Sequence, residues 1–268
     1  MTIQFNSERI TDHILRIGEG SGVWEYLIVG SEKALLIDTG YGIGDLRSYV
    51  ESLTDKPLAV YITHGHVDHA AGAGQFDEVH ISEYDLGLLE RQCSLEFRKK
   101  IISHGMPDID DSDFLPARTE PYLGISDKEL IDLGGVHVLM IHVPGHTRGT
   151  FVPLVLEDRA AIFGDASGVG TLINLEHSTS VTEYLKSLKY LKSYESLYDL
   201  VLRQHGTCWS EKKLLDENIE NCELIIAGKD AHIPTVSMGL ECWWARERDP
   251  KTGMRTDGKE GNICYRVI

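Results

Sequence analysis

The sequence of 268 residues predicts a mixed α/β fold in which two β-sheets are flanked by helices. Short apolar or alternating segments, typical of strands, lead the chain and return after residue 135, and segments with helical periodicity are interspersed. The composition, 42% hydrophobic and 25% charged, is ordinary for a globular protein with a sizeable core. The length allows one large domain or two modest ones, and we expect a single domain over residues 1–268.

The first part of the chain is predicted to build one sheet. Residues 13–17 and 23–29 alternate or run apolar, as paired strands would, and residues 33–38 form a third strand. Residues 44–53 have a helical pattern. A buried strand over residues 58–63 follows.

The middle of the chain is predicted to be less regular. Residues 79–82 form a short strand, and residues 82–85 resemble a helix start, with an acid three residues after Ser82. We expect this helix to reach about residue 102. Residues 105–121 are rich in Asp and Pro and are interpreted as a loop. We expect the segment at about 90–126 to form a lid insert that selects the substrate.

The second half repeats the pattern of strands followed by helices. Apolar strands are predicted over 136–143, 160–163 and 200–203. Ser180 and Glu183 have the spacing of a capping box, which predicts an amphipathic helix directly after them. Three further elements complete the chain, namely a helix at 211–227 and two apolar tail segments at 242–246 and 262–266. These tail segments predict a C-terminal β-hairpin at about 240–268.

The segment from Thr63 to Ala70 carries three histidines and an aspartate within six residues. Zinc and similar ions are bound by neutral imidazole nitrogen and by carboxylate oxygen. His64 and His66 are two residues apart, so in extended chain both rings point the same way and can converge on one ion. Asp68 and His69 follow after the chain turns and suit a second ion. The alternative, surface or core histidines without a ligand, explains a single His better than this cluster.

The motif His-x-His-x-Asp-His resembles the signature of the metallo-β-lactamase superfamily. Four further segments resemble the other motifs of that family in the expected order: Asp38-Thr39-Gly40, Pro144-Gly145-His146-Thr147, Phe163-Gly164-Asp165 and Gln204-His205-Gly206. The resemblance covers residues 38–206 and implies a four-layer αβ/βα sandwich of the metallo-β-lactamase type. Each later motif also lies just past a short apolar strand, as a shared site would require.

The resemblance implies a dinuclear metal site. His64, His66 and His146 would hold the first metal; Asp68, His69 and His205 would hold the second; and Asp165 would bridge them. We expect two divalent metal ions, in the first place Zn²⁺, with Fe or Mn in one site as alternatives. Asp68 is also expected to orient the nucleophile. For Asp38 two roles stay open, namely fixing the ligand loop by hydrogen bonds or forming a turn, and His142 has at most a supporting role.

The resemblance implies a metal-dependent hydrolase in which a metal-bound hydroxide attacks the carbonyl of a small ester, thioester or lactone. His69 and Asp165 favour the glyoxalase II-like and lactonase-like branch over true β-lactamases. The alternatives are a phosphodiesterase that uses the same site and a non-hydrolytic metal-binding or redox protein. The segment from His177 to Thr179 resembles a motif of the nuclease branch, but we interpret it as a helix-capping region.

Charge and cysteine content restrict the partners and the compartment. The net charge of −16 disfavours binding to nucleic acid, because an acidic surface repels phosphates. The five cysteines are odd in number and include no Cys-x-x-Cys pair, so no disulfide framework is expected. No signal peptide or long apolar run is recognised, so we expect a cytoplasmic protein without membrane contact. The predicted partner is a small-molecule substrate, and the oligomeric state stays open.

Overall fold

The computed structural model describes residues 3–102 and 109–266. Strands β1 to β6 lie at Asn6–Arg9, Ile14–Gly18, Glu25–Val29, Ala34–Ile37, Leu58–Tyr61 and Val79–His80. Strands β7 to β13 lie at Glu129–Asp132, His137–His142, Phe151–Val155, Ala160–Ile162, Thr171–Ile173, Leu200–Leu202 and Trp209–Ser210. Strands β14 to β16 lie at Ile233–Ser237, Leu240–Trp244 and Ile263–Tyr265. Helices α1 to α6 lie at Leu46–Leu53, Val67–Ala70, Leu86–Gln92, Leu95–Ile102, Val181–Lys192 and Lys213–Ile226.

The first sheet has the strand order β1-β2-β3-β4-β5-β6. Its first four strands are antiparallel neighbours, and the pairing of β2 with β3 corresponds to the paired strands predicted at 13–17 and 23–29. Strand β5 is parallel to β4, with Leu36 opposite Val60, and α1 forms the crossover between them. Parallel strands end at the same edge of a sheet, so the loops after β4 and β5 lie side by side.

The second sheet has the order β13-β12-β10-β9-β8-β7. Strands β10 and β12 are parallel, with Ala161 opposite Val201, and α5 lies in the crossover. The loops that follow β10 and β12 therefore share one edge as well. These are the loops that contain Asp165 and His205.

A third, smaller sheet has the order β11-β16-β15-β14. Strands β15 and β16 lie in the segment for which a hairpin is predicted; they are antiparallel, with Trp243 opposite Tyr265. Strand β14, which the sequence analysis does not predict, forms a tight hairpin with β15. Strand β16 also pairs in parallel with β11, so the tail is joined to the segment that follows β10. Residues 267 and 268 of the predicted hairpin lie outside the described residues.

Alternating side chains divide the core into layers. In β4, Leu35 and Ile37 pack towards the second sheet, whereas Leu36 packs with Val50 of α1 on the opposite face. The outer face of the second sheet packs against α5 and α6, for example through Leu188. Each such fully buried aliphatic side chain stabilises the fold by about 1.5–3 kcal/mol. The order helix, sheet, sheet, helix confirms the predicted mixed α/β sandwich.

The helix predicted to run from residue 82 to about 102 is broken. A 3₁₀ turn at Glu83–Asp85 precedes α3, and α3 ends before Cys93. The Phe97 backbone N–H donates to Ser94 Oγ (3.3 Å), so Ser94 starts α4 as a new helix. Residues 103–108, which belong to the predicted lid and the predicted loop, lie outside the described residues. Every helix in the described ranges is too short or too polar to span a lipid bilayer.

Candidate metal centre

Loops at the ends of four strands bring the seven residues of the predicted site together. Those from the histidine-rich motif follow β5, and the others follow β8, β10 and β12. Their side chains form two adjoining groups, and within each group the metal-facing atoms lie within 4.8 Å of one another. The first group contains His64, His66, His146 and Asp165, and the second contains Asp68, His69 and His205.

The three histidines of the first group are buried, whereas its Asp165 is 22% exposed. His66 Nδ1 lies 3.0 Å from His64 Nε2 and 2.8 Å from His146 Nε2. Asp165 Oδ2 lies 3.2 Å from His146 Nε2 and 3.9 Å from His64 Nε2. Three ring nitrogens and one carboxylate oxygen therefore face a common point.

The second group lies beside the first and is more open. Asp68 Oδ2 is 3.5 Å from both His69 Nε2 and His205 Nε2, and these two nitrogens are 3.1 Å apart. Asp165 Oδ1 lies 3.3 Å from His205 Nε2, while its Oδ2 faces the first group. One carboxylate thus contacts both groups.

The opposite ring nitrogens of the four buried histidines show which nitrogens carry protons. Each is hydrogen-bonded away from the centre: His64 Nδ1 to Thr63 Oγ1 (3.0 Å), His69 Nδ1 to Asp38 Oδ2 (2.7 Å), His146 Nδ1 to Leu172 O (2.8 Å) and His66 Nε2 to His177 Nε2 (2.5 Å). The carbonyl of Leu172 can only accept. Thr63 Oγ1 donates to Asp38, so it accepts from His64. A neutral ring with its proton on that side presents a lone pair to the centre.

Converging lone pairs favour the binding of a cation. Burial, reinforced by the neighbouring imidazoles, lowers the pKa of His64 and of His66 well below the ordinary value, so both rings are neutral at pH 7. Neutral imidazole is the form that ligates metal. The donors of both groups, imidazole nitrogen and carboxylate oxygen, suit zinc, iron and manganese. The arrangement therefore fits divalent metal ions.

In the second group, His69 lies between two carboxylates, those of Asp38 and Asp68. Burial opposes a charged His69, but Asp68 and Asp38 outweigh it and raise the pKa of His69 to about 10. For Asp165, burial likewise opposes ionisation, and His205 and His146 nevertheless hold its pKa well below the ordinary range. An ion in the second group must displace the proton of His69, so its affinity falls as the pH is lowered.

Asp38 ties the motif loop to the rest of the site. It is fully buried and accepts from the Thr63 backbone N–H (2.6 Å), Thr63 Oγ1 (2.7 Å), Gln204 Nε2 (2.7 Å) and the His69 ring (2.7 Å). Its φ of 65° lies in the left-handed region, which Asp tolerates better than most residues. Asp38 therefore fixes the ligand loop by hydrogen bonds and also turns the chain, so the two roles left open are combined.

Asp85 has a supporting role that the sequence analysis misses. It is predicted as part of a helix start, but Ser82 makes no side-chain cap, and the Asp85 carboxylate points towards the site loops. It accepts from Gly65 N (2.9 Å), Thr147 Oγ1 (2.6 Å) and Gly149 N (2.9 Å). Asp85 thus joins the loop of His64 and His66 to the loop of His146.

His177 is a second site residue that the sequence analysis misses. The cap of α5 is Ser180, whose capping box with Glu183 is as predicted, and the segment from His177 to Thr179 leads directly into it; the His177 side chain, however, takes no part in the cap. Its ring contacts His66 instead. Burial lowers the pKa of His177 to about 4, so this ring is neutral at pH 7. His142, by contrast, bonds to Arg148 O and stacks on Tyr84 and Phe151, with no contact to the seven residues.

Two buried acids lie beside the Asp38–Gly40 turn. Glu19 and Glu25 are only 6% and 1% exposed, and neither carboxylate forms an ion pair with a described residue. A Cβ at Gly40 would lie 2.5 Å from Glu25 Oε1 and 3.5 Å from Glu19 Oε1, so a larger residue at position 40 would clash. Burial raises the pKa of both carboxyl groups, and the charge of Glu19 raises that of Glu25 further.

Glu25→Gln is expected to stabilise the protein at neutral and alkaline pH by about 1–3 kcal/mol. Because the pKa of Glu25 is higher in the folded state, its ionisation lowers stability as the pH rises from about 4.5 through the folded pKa. The amide does not titrate, so the advantage should be present at pH 8 and shrink towards pH 4.5. Urea unfolding at both pH values tests this, with Glu8→Gln on an exposed strand as control. An advantage that does not change with pH would contradict the prediction.

Comparison with known proteins agrees with this architecture. The sequence profile of the metallo-beta-lactamase superfamily matches residues 19–205. The chain is 27% identical to the human acyl-coenzyme A thioesterase MBLAC2 over 225 residues, covering 76% of this chain and 80% of the relative. It is 31% identical to the hydroxyacylglutathione hydrolase GloC of Haemophilus influenzae over 150 residues, covering 54% of this chain and 68% of the relative.

The fold is also found among solved structures. A metallo-beta-lactamase from Pontibacter korlensis superposes with a TM-score of 0.61 at 16% identity, covering 82% of this chain and 99% of the other. At this identity the likeness concerns the fold, and it confirms the predicted sandwich. With five ordered motifs, a profile match over most of the chain and this shared fold, the chain belongs to the metallo-β-lactamase superfamily.

Proposed function

We propose that this protein is a dinuclear metal-dependent hydrolase that cleaves the carbonyl–sulfur bond of small thioesters. The observation that carries the proposal is the pair of adjoining donor groups with Asp165 in contact with both. Two relatives are named as thioester hydrolases, one for acyl-coenzyme A and one for hydroxyacylglutathione, which favours thioesters over oxygen esters and lactones.

Each donor group is assigned to one ion. His64, His66 and His146 would hold the first, Asp68, His69 and His205 the second, and Asp165 would bridge them. Zinc is the expected metal, with iron or manganese in one site as alternatives. When bound, such ions lower the pKa of a shared water to about 7 and polarise a substrate carbonyl.

The exposure of the side chains indicates where the substrate enters. The three histidines of the first group and His69 of the second are buried, and Asp165 and Asp68 are 22% and 19% exposed. The most exposed of the seven side chains is His205 of the second group, at 38%. The substrate carbonyl therefore approaches from the side of the second group. Asp68 lies at this opening, so its carboxylate can accept a hydrogen bond from the attacking water and orient it towards the carbonyl carbon.

The direct test is a substrate panel with the metal-loaded protein. The panel contains an acyl-coenzyme A, a hydroxyacylglutathione, an aryl ester, a lactone and an aryl phosphodiester, each tested after reconstitution with Zn²⁺, Fe²⁺ or Mn²⁺. We expect about two ions per chain and the highest kcat/KM for a thioester.

His66→Ala should lose metal and activity while its circular dichroism spectrum is kept.

Two outcomes would overturn the proposal. A protein that binds two ions and cleaves none of these substrates would favour the non-hydrolytic alternative. Fastest cleavage of the phosphodiester would favour a phosphodiesterase that uses the same site.

A further inference from the structure

We infer that His177 is a positioning residue that holds the His66 ring with Nδ1 towards the first metal site. The inference rests on the metal assignment of the proposed function. His66 Nδ1 faces His64 and His146, and its Nε2, on the other side of the ring, lies 2.5 Å from His177 Nε2. A rotation of the His66 ring would break this contact.

The proton count gives the contact a direction. A neutral His66 can ligate through Nδ1 only if its proton resides on Nε2. That N–H then donates to Nε2 of His177, which must itself be neutral, with its proton on Nδ1. The contact therefore selects both the ring orientation and the tautomer that metal binding at Nδ1 requires.

His66 differs from the other buried histidines in the kind of partner it has. His64, His69 and His146 bond to oxygen atoms of a hydroxyl, a carboxylate and a backbone carbonyl. Within residues 3–102 and 109–266, the partner of His66 on that side is the ring nitrogen of His177. Removing the His177 ring should therefore weaken the first site and leave the second, whose histidine His69 is held by Asp38, nearly unchanged.

The segment around His177 is anchored to the site and to the C-terminal sheet. Ser178 Oγ donates to His146 O (2.8 Å), and Thr179 N donates to Gly145 O (2.9 Å). The same segment begins with β11. The Leu172 carbonyl of β11 accepts a hydrogen bond from His146, and β11 pairs in parallel with β16. Strand β16 lies beyond the residues matched by the family profile, so this part of the chain's own tail supports the first metal site.

The experiment measures metal affinity at each site. His177→Ala, His177→Gln and the control His142→Ala are freed of metal and titrated with Zn²⁺ against a chromophoric chelator, and with Co²⁺ followed by its visible absorption. We expect His177→Ala to bind one of its two ions about 10–100-fold more weakly than the wild type does. Its affinity for the other ion should stay within about twofold of the wild-type value. The Gln amide oxygen can reach the position of the lost nitrogen, so His177→Gln should recover most of the affinity. His142→Ala should match the wild type.

The outcomes separate this inference from the proposed function. Wild-type affinity for both ions in His177→Ala, or a loss in His177→Gln as large as in His177→Ala, would overturn the positioning role. An equal weakening of both sites would indicate a general loss of structure and would also overturn it. If His177→Ala does not fold, His177→Leu takes its place, because leucine fills the space of the ring but offers no hydrogen-bond acceptor. Because the readout is metal binding, a wild-type protein that binds two ions but cleaves no thioester would end the proposed function and leave this inference standing.

Discussion

Asp165→Asn is expected to reduce kcat/KM by at least about 10³-fold while the protein stays folded. The Asp165 carboxylate contacts His146 of the first donor group on one side and His205 of the second on the other. The amide has nearly the same shape but no charge, and its nitrogen cannot ligate a cation. We therefore expect at least one ion to be lost as well.

The measurement is kcat/KM on the best thioester of the panel, together with metal content by elemental analysis. Asp199→Asn serves as the matched control, because Asp199 is an exposed acid paired with Arg159 far from the metal loops. Full metal content with more than about a tenth of the wild-type activity would show that Asp165 does not join the two sites.

Asp38→Ala is expected to lower the free energy of unfolding by about 3–5 kcal/mol, the largest stability effect that we predict for a single side chain. The change leaves four donors from three residues, Thr63, His69 and Gln204, without their acceptor in the interior. It also places alanine at a φ of 65°, which an alanine side chain disfavours. Metal affinity at the second group should fall too, because His69 loses the partner that orients its ring.

Urea unfolding of the metal-free protein measures the stability part of this prediction. Asp38→Asn should be intermediate, because the amide oxygen still accepts and Asn tolerates this backbone conformation. Asp77→Ala, at a carboxylate that is 87% exposed, is the control and should change stability by less than about 0.5 kcal/mol. A loss below about 1 kcal/mol for Asp38→Ala would mean that water replaces the missing acceptor.

Local sequence predicts this site well because each of its residues follows a strand. Apolar strands are recognised from a few consecutive residues, and the turn after a strand gives its polar residues one direction. The segments that contain His146, Asp165 and His205 could therefore be identified one by one. The resemblance of the five ordered motifs to those of the metallo-β-lactamase superfamily then implied the sandwich.

The residues that support the site were not recognisable in this way. Asp85 and His177 lie in segments that look like ordinary helix starts. Their roles depend on contacts with residues that are distant in sequence: Asp85 contacts Gly65, 20 residues away, and His177 contacts His66, 111 residues away. The break between α3 and α4 depends on a single serine, Ser94, inside an otherwise helical pattern.

The sequence by itself determined the superfamily, the strands that lead to the site and the seven residues that gather there, since all of these follow from short-range patterns. Tertiary structure alone decided which nitrogen of each histidine faces the centre and that the tail sheet supports the first donor group. It also decided that Glu19 and Glu25 are buried side by side. The physical reason is that ring orientation, tautomer and carboxylate pKa depend on neighbours brought close by folding.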